Sequence, residues 1–312
     1  MPASSLLGRD KREAIATIGS FDGVHRGHRS LLAQVRHIAD ERGMKAVAIT
    51  FGTSPKRVLG RGDASVLSTT EERTALLHQA GMDEVAMLDF TPQMAAMPAR
   101  DFMQQVLRDE LHVAVLVIGY DHRFGRGCTE GFDDYVRYGK EMGIEVVRGE
   151  ACIEEGEPIS STRIRHLLAE GRLDKANHLL GYRYMLHGEV VDGYKEGRKM
   201  GFPTANMQPL DAAKVIPDDG VYAVWVYVGG QRTTGDGQFI GMLNIGYRPT
   251  LNNGRERSIE VHILDFEGDL YGKTLTVEFA HRLREERTFA NTEELTEQLL
   301  RDEKQVRELL VK

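Results

Sequence analysis

The sequence is poor in the features that mark several large protein classes. Only two of its 312 residues are cysteine, Cys128 and Cys152, and one is tryptophan. Two cysteines cannot build a disulfide framework, which excludes the small stapled secreted folds. No apolar run is long enough to cross a bilayer as a helix, and the opening stretch 1–10 holds no apolar segment of signal-peptide length. No membrane role is expected, and the expected location is cytoplasmic. Positive charge is short as well: 40 Lys and Arg stand against 47 Asp and Glu, a net charge of −7, with the acidic excess in both halves. Neither half has the basic surplus of a nucleic-acid-binding domain. A few arginines and backbone amides can still build a local site for a small anion. Repeats and low-complexity tracts are absent too.

The rest is ordinary globular composition, 41% hydrophobic and 28% charged, in a chain long enough for two domains with separate cores. Apolar runs of strand length at 14–18, 46–50, 84–88, 113–118 and 144–147 alternate with amphipathic helical patterns at 30–38, 70–77 and 98–107. That alternation predicts a parallel sheet with crossover helices, in which ligands bind beyond the carboxyl ends of the strands. From about Gly181 the pattern changes to short β-rich runs at 184–191, 221–228, 240–245, 258–264 and 275–279, then a helical stretch at 292–310. An antiparallel barrel with a C-terminal helix packed on it is expected. The expected domains are 1–182 and 183–312, the boundary falling near 181–184.

The most informative stretch is Gly19-Ser-Phe-Asp-Gly-Val-His-Arg-Gly-His28, which joins the first strand to the first long helix. Gly19 and Gly23 permit close backbone approach, while free amides and the positive dipole end at a helix start attract phosphate. His25 and His28 are three apart, so their imidazoles share a face and can hold triphosphate oxygens or a leaving pyrophosphate. The turn has no Walker lysine and is not GxGxxG. Further on, Ser160-Ser-Thr-Arg-Ile-Arg165 opens a helix with hydroxyls and two arginines. Alone it would read as an N-cap; beside the histidine motif it reads as a second phosphate element.

These two motifs, with Ile118-Gly-Tyr-Asp-His-Arg-Phe-Gly125 between them, resemble the adenylyltransferase half of the bacterial bifunctional riboflavin kinase/FAD synthetase family over roughly residues 12–180. The resemblance implies a Rossmann-like nucleotidyltransferase that joins FMN to ATP, giving FAD and pyrophosphate. It assigns His25 and His28 to the ATP phosphates as catalytic residues, and Gly19, Phe21, Asp22 and Gly23 of the same loop to ATP and phosphate binding. It sets Asp121 near the nucleotide or flavin, and gives Ser161, Thr162, Arg163 and Arg165 to phosphate groups. Two departures stand out. Phe51-Gly-Thr-Ser-Pro55 replaces the Phe-Asp-Pro-His-Pro of many members, and Asp121-His122 stands where Asn followed by an aromatic is frequent. An added carboxylate near phosphate needs an offset such as magnesium or Arg123.

In the second half, Gly197-Arg-Lys-Met-Gly-Phe-Pro-Thr-Ala-Asn206 ends in a hydroxyl and an amide that share a side in extended chain, oxygen ligands suited to magnesium. Arg198 and Lys199 are potential phosphate partners. Glu260 lies mid-strand in Arg257-Ser-Ile-Glu-Val-His-Ile263, on one face with Ser258 and His262; unsupported, it would be a solvent-facing glutamate. With Gly220-Val-Tyr222, Asn244-Ile-Gly-Tyr-Arg-Pro-Thr250 and Asp269-Leu-Tyr-Gly272, these segments resemble the riboflavin kinase half of the same family over about residues 183–310. The resemblance implies that Gly201 and Pro203 shape an ATP-binding turn and that Thr204 and Asn206 engage magnesium and ATP phosphates. Glu260 would be the general base for the ribityl 5′-hydroxyl.

The expectation is therefore a two-step flavin enzyme acting on riboflavin, FMN and ATP with Mg2+, and without nucleic acid or membrane partners. Three rivals remain open at this level. They are a nucleotidyltransferase with another acceptor, an enzyme that has kept one activity, and a flavin-binding regulatory protein without turnover. Trp225 and Tyr222 could meet a flavin ring, but core packing is expected of them.

Overall fold

The computed structural model describes residues 13–53, 58–60, 65–192, 197, 200–229, 237–249 and 255–311. Ser54, Pro55, Arg198, Lys199 and Thr250, named above, lie outside the described residues. The chain divides into two compact units, Met1–Ser161 and Thr162–Lys312.

In the first unit β1 (Ala14–Ile18), β2 (Lys45–Phe51), β3 (Glu84–Leu88), β4 (Val113–Ile118) and β5 (Glu145–Arg148) form one parallel sheet, in the order β3-β2-β1-β4-β5. Every residue of β1 and β2 is buried, as near-continuous apolar runs require in a sheet covered on both faces. Helix α1 (Arg26–Arg42) buries Leu31, Leu32, Val35 and Ala39. Helix α2 (Thr70–Gln79) starts at a Thr69/Glu72 capping box, and α3 (Phe132–Met142) follows β4.

The stretch 98–107, expected as one amphipathic helix, is a turn of α-helix, Ala99–Phe102, that runs into a π-helix, Met103–Glu110. The wider turn is closed by Leu111 N donating to Val106 O at 3.0 Å, and still buries Phe102, Met103, Val106 and Leu107. A short hairpin, β6 (Ile153–Glu154) with β7 (Glu157–Pro158), completes the unit. From β1 the chain builds outward through β2 to β3, then returns to place β4 on the other side of β1. The carboxyl ends of β1 and β4 thus flank a topological switch point, where open α/β sheets form their ligand crevice.

The second unit begins along α4 (Ser161–Ala169), continues through α5 (Leu173–Leu180), and then closes a barrel. The barrel strands are β8 (Met185–Val191), β9 (Ala205–Pro209), β10 (Gly220–Val228), β11 (Gln238–Pro249), β12 (Arg255–Ile263) and β13 (Thr274–Arg284). They are ordered β10-β11-β12-β9-β8-β13 with antiparallel pairing. Helix α6 (Thr292–Leu310) lies against β10 and β11, where Val306 and Leu310 join Phe202, Ala223, Met242, Leu264 and Ala280. Five barrel strands match the β-rich runs of the sequence. The sixth, β9, buries Ala205 and Met207 alternately but is short, half polar and ends on Pro209, so its sequence looks like a connection.

Of the two aromatics one is a core residue and the other is half-buried against a core cluster. Tyr222 is fully buried with its hydroxyl donating to Asp218 O, and burial pushes its pKa up to about 12. Trp225 packs against the cluster beneath α6.

Candidate active sites

The loop that leaves β1 is held in a shape few side chains tolerate. Phe21 and Val24 both adopt positive φ, 46° and 35°, with Gly23 between them at 78°. Bulky residues avoid this region, and here both side chains are buried in the core, which offsets the strain. Asp22 locks the turn: its Oδ1 accepts from Leu67 N at 2.8 Å and Ser68 N at 3.0 Å, while Ser68 Oγ accepts from Gly23 N at 2.8 Å. Gly19 N donates to Ile49 O at 3.0 Å. Arg73, only 5% exposed, donates to Ser20 O and Phe51 O, clamping the ends of β1 and β2. Burial lowers its pKa.

His25 caps α1, its Nδ1 accepting from His28 N at 3.2 Å. The two imidazoles stack at 3.6 Å between centroids and 15° between planes, and Phe21 meets His28 edge-on at 5.2 Å. Gly27 makes room for this: a Cβ there would lie 3.1 Å from His25 Nδ1 and 3.2 Å from Ile159 O. Burial pushes the His25 pKa down to about 4. His28 is driven well below its usual value, first by burial and then by repulsion from His25 and His122. Both rings are therefore neutral near pH 7. With Nδ1 as acceptor, neutral His25 carries its proton on Nε2, which makes Nε2–H the available donor.

Ser161 Oγ donates to Asp22 O at 2.9 Å, so the start of α4 meets the same loop. Gly19, Phe21, Asp22, Gly23, His25, His28 and Ser161 are thus gathered at the carboxyl end of β1. Asp121 is exposed just beyond β4. Thr162, Arg163 and Arg165 lie along α4 in the second unit, Thr162 exposed and the arginines half-buried.

The candidate site of the second unit is a polar row across three strands. In register, Asn244 of β11 faces Glu260 of β12, and Glu260 faces Asn206 of β9. Their flanking residues Leu243, Ile245, Ile259, Val261, Ala205 and Met207 are buried, so the polar row occupies the opposite face. Thr204 Oγ1 donates to Glu260 Oε2 at 3.2 Å. Gly201 turns the chain at φ 83°, sending Phe202 into the core, and the Pro203 carbonyl accepts from His262 Nδ1 at 2.8 Å. Asn244 was not legible as a site residue, because only cross-strand register brings it to Glu260; His262, which spacing already put on the face of Glu260, is tied to Pro203 by the path of the turn.

Among the described residues no group of three His, Cys, Asp or Glu could hold a metal ion. The donor set at Thr204 and Asn206 nonetheless suits magnesium shared with nucleotide phosphates. Thr204 gives its hydroxyl proton to Glu260 and so keeps lone pairs for a hard cation, and Asn206 adds an amide oxygen.

A switch-point histidine turn on a parallel sheet, followed by a closed barrel with a carboxylate–hydroxyl–amide row, defines a two-unit enzyme that handles nucleotide phosphates. The family model for FAD synthetase matches residues 8–163, and that for riboflavin kinase matches residues 180–310. The bifunctional riboflavin kinase/FMN adenylyltransferase of Escherichia coli strain K12 is 37% identical over 295 residues, covering 94% of this chain and 92% of that protein. Its counterpart from Pseudomonas fluorescens is 36% identical over 286 residues, covering 92% and 89%. The chain belongs to the bifunctional riboflavin kinase/FMN adenylyltransferase family. A crystal structure named as a macrolide-efflux protein from Streptococcus pneumoniae shares the fold, with TM-score 0.87 and 31% identity over 98% of this chain and 97% of that one. No helix among the described residues of this chain is long and apolar enough to cross a membrane.

Proposed function

We propose that the barrel unit phosphorylates riboflavin to FMN and that the first unit joins FMN to a second ATP, releasing pyrophosphate as FAD forms. The observation that carries the reading is the Asn244–Glu260–Asn206 row with Thr204 hydrogen-bonded to Glu260, on a chain whose other unit carries the stacked histidine pair.

In the kinase step the ribityl 5′-hydroxyl oxygen attacks the γ-phosphorus of ATP. ADP leaves, and Glu260 takes the hydroxyl proton. Thr204 orients the carboxylate, and Gly201 and Pro203 shape the turn that presents Thr204 and Asn206 to the nucleotide. Magnesium, held by Thr204, Asn206 and phosphate oxygens, would neutralise charge on the triphosphate.

In the adenylylation step an FMN phosphate oxygen attacks the α-phosphorus of ATP and pyrophosphate departs. The nucleophile is already ionised, so alignment and charge stabilisation carry the catalysis. His25 Nε2–H and His28 donate to the triphosphate, within a loop whose Gly19 and Gly23 amides are already spent on Ile49 O and Ser68 Oγ and so hold its shape. Asp22 shapes that loop, its carboxylate already accepting from Leu67 and Ser68. Ser161, Thr162, Arg163 and Arg165 are assigned to phosphate, and Asp121 to the nucleotide or flavin, by the match of ISSTRIR and IGYDHRFG to the family motifs. The domains proposed for the two activities are 1–182 and 183–312.

Incubation with riboflavin, ATP and magnesium, with flavins separated over time, should give transient FMN followed by FAD. Glu260→Gln should lower FMN formation by about a thousandfold while FAD formation from supplied FMN persists. FMN that accumulates without FAD would overturn the adenylyltransferase half, and unchanged riboflavin would overturn the kinase half.

A further inference from the structure

The histidine pair has a third member that neither motif contains. His122 follows β4, the strand beside β1 at the switch point, and its backbone is fixed by His122 N donating to Gly119 O at 3.0 Å. The loop beyond it is anchored by Phe124, which stacks on Tyr135 at 4.2 Å and exchanges backbone hydrogen bonds with the Tyr135 hydroxyl. His122 Nε2 is enclosed and has no hydrogen-bond partner among the described residues; the same holds for His28 Nδ1. His122 is also near enough to His28 to oppose a charge on it.

Enclosing an imidazole nitrogen without a partner is costly, and a hydrocarbon ring in the same place would avoid that cost. The balance is restored when a ligand supplies the missing partner. Phosphate oxygens do so, since a neutral imidazole offers one N–H and phosphate accepts strongly.

We propose that His122 is a third imidazole of the nucleotide site, its Nε2–H donating to a phosphate oxygen of ATP beside His25 and His28. This inference rests on the adenylyltransferase reading above. It makes His122 a binding residue of the loop after β4, joining the loops after β1 and β4 across the switch point. Burial holds its ring neutral, with Asp121 opposing that effect, so the contact is a hydrogen bond from a neutral donor.

The test measures KM for ATP and for FMN, and kcat, in FAD formation by the full chain, with riboflavin phosphorylation by the same preparation as the folding control. His122→Phe keeps the ring and removes the nitrogens. It should raise the ATP KM about tenfold, with kcat and the FMN KM changed less than threefold. His122→Gln, whose amide nitrogen reaches the Nε2 position, should restore most of the affinity, and His122→Asn, which reaches only Nδ1, should not. Should the phenylalanine variant fail to fold, the Gln and Asn variants decide, and equal ATP KM values for those two would overturn the proposal. So would an unchanged ATP KM in His122→Phe, or a rise confined to the KM for FMN. A wild-type chain that makes no FAD while phosphorylating riboflavin would overturn both this inference and the reading beneath it.

Discussion

His25 couples the nucleotide loop to pH through a single proton. Its pKa is about 4 in the folded chain, against 6.5 for an unburied histidine. Below pH 6.5 the unfolded chain takes up a proton at this site that the folded chain refuses until about pH 4. The stabilisation is therefore complete above pH 6.5 and drains away as the pH falls to 4, about 3 kcal/mol in all. His28 and His122, also lowered, act in the same direction. Hydrogen exchange of the β1 and β2 amides should show a first unit destabilised by at least about 2 kcal/mol between pH 7 and pH 5, the share of His25 alone. His25→Asn keeps an N-cap acceptor and cannot titrate, so it should flatten part of that dependence; wild-type behaviour in the variant would exclude His25 as the source. At this scale the sequence spacing already put both imidazoles on one face. The partners of Asp22 and Arg73 were illegible, because Ser68 lies 46 residues from Asp22 and Arg73 reads as a solvated charge on an amphipathic helix.

At the scale of elements, the start of α1 depends on a residue with no side chain. Gly27 sits against the His25 ring and the Ile159 carbonyl, so Gly27→Val must displace one of them. A displacement of about 1 Å at a reacting site costs up to ~100-fold in rate. The variant should lose at least about tenfold in kcat/KM for FAD formation and retain its kinase rate; equal losses in both would point to misfolding instead. The parallel strands were legible because they are continuous apolar runs, and the amphipathic helices because their buried residues recur at helical spacing. The π-helix was not, since Phe102, Met103, Val106 and Leu107 fit an α-helical stripe equally well. Strand β9 was hidden for the reason its composition gives: with Asn206, Gln208 and Pro209 among five residues, only pairing to β8 and β12 makes it a strand.

Across the whole molecule, the second unit begins before the domain expected from sequence. Within it Leu168 O accepts from Asp218 N at 2.9 Å, and Asn177 bridges Phe279 O at 2.9 Å and Tyr184 N at 2.7 Å. Helix α5 packs on β13, and Leu173, Ala176, Leu179 and Leu180 are buried. A fragment 162–312 should therefore be more stable to urea than 183–312, by about 2 kcal/mol from the lost hydrogen bonds alone; equal midpoints would assign α4 and α5 no part in holding the barrel. Sequence alone placed this boundary at the change from helical to β-rich composition, where the chemistry of the segment changes but its packing does not.

The single indole of the chain lies in that same unit. Trp225 packs beneath α6 with the Arg183 guanidinium 5.9 Å from its ring centroid, and the first unit has no tryptophan. Emission excited selectively at the indole band is consequently a reporter of the barrel alone. A melting curve followed by that light would be blind to the collapse of the histidine-bearing sheet, so it would time the loss of the barrel by itself.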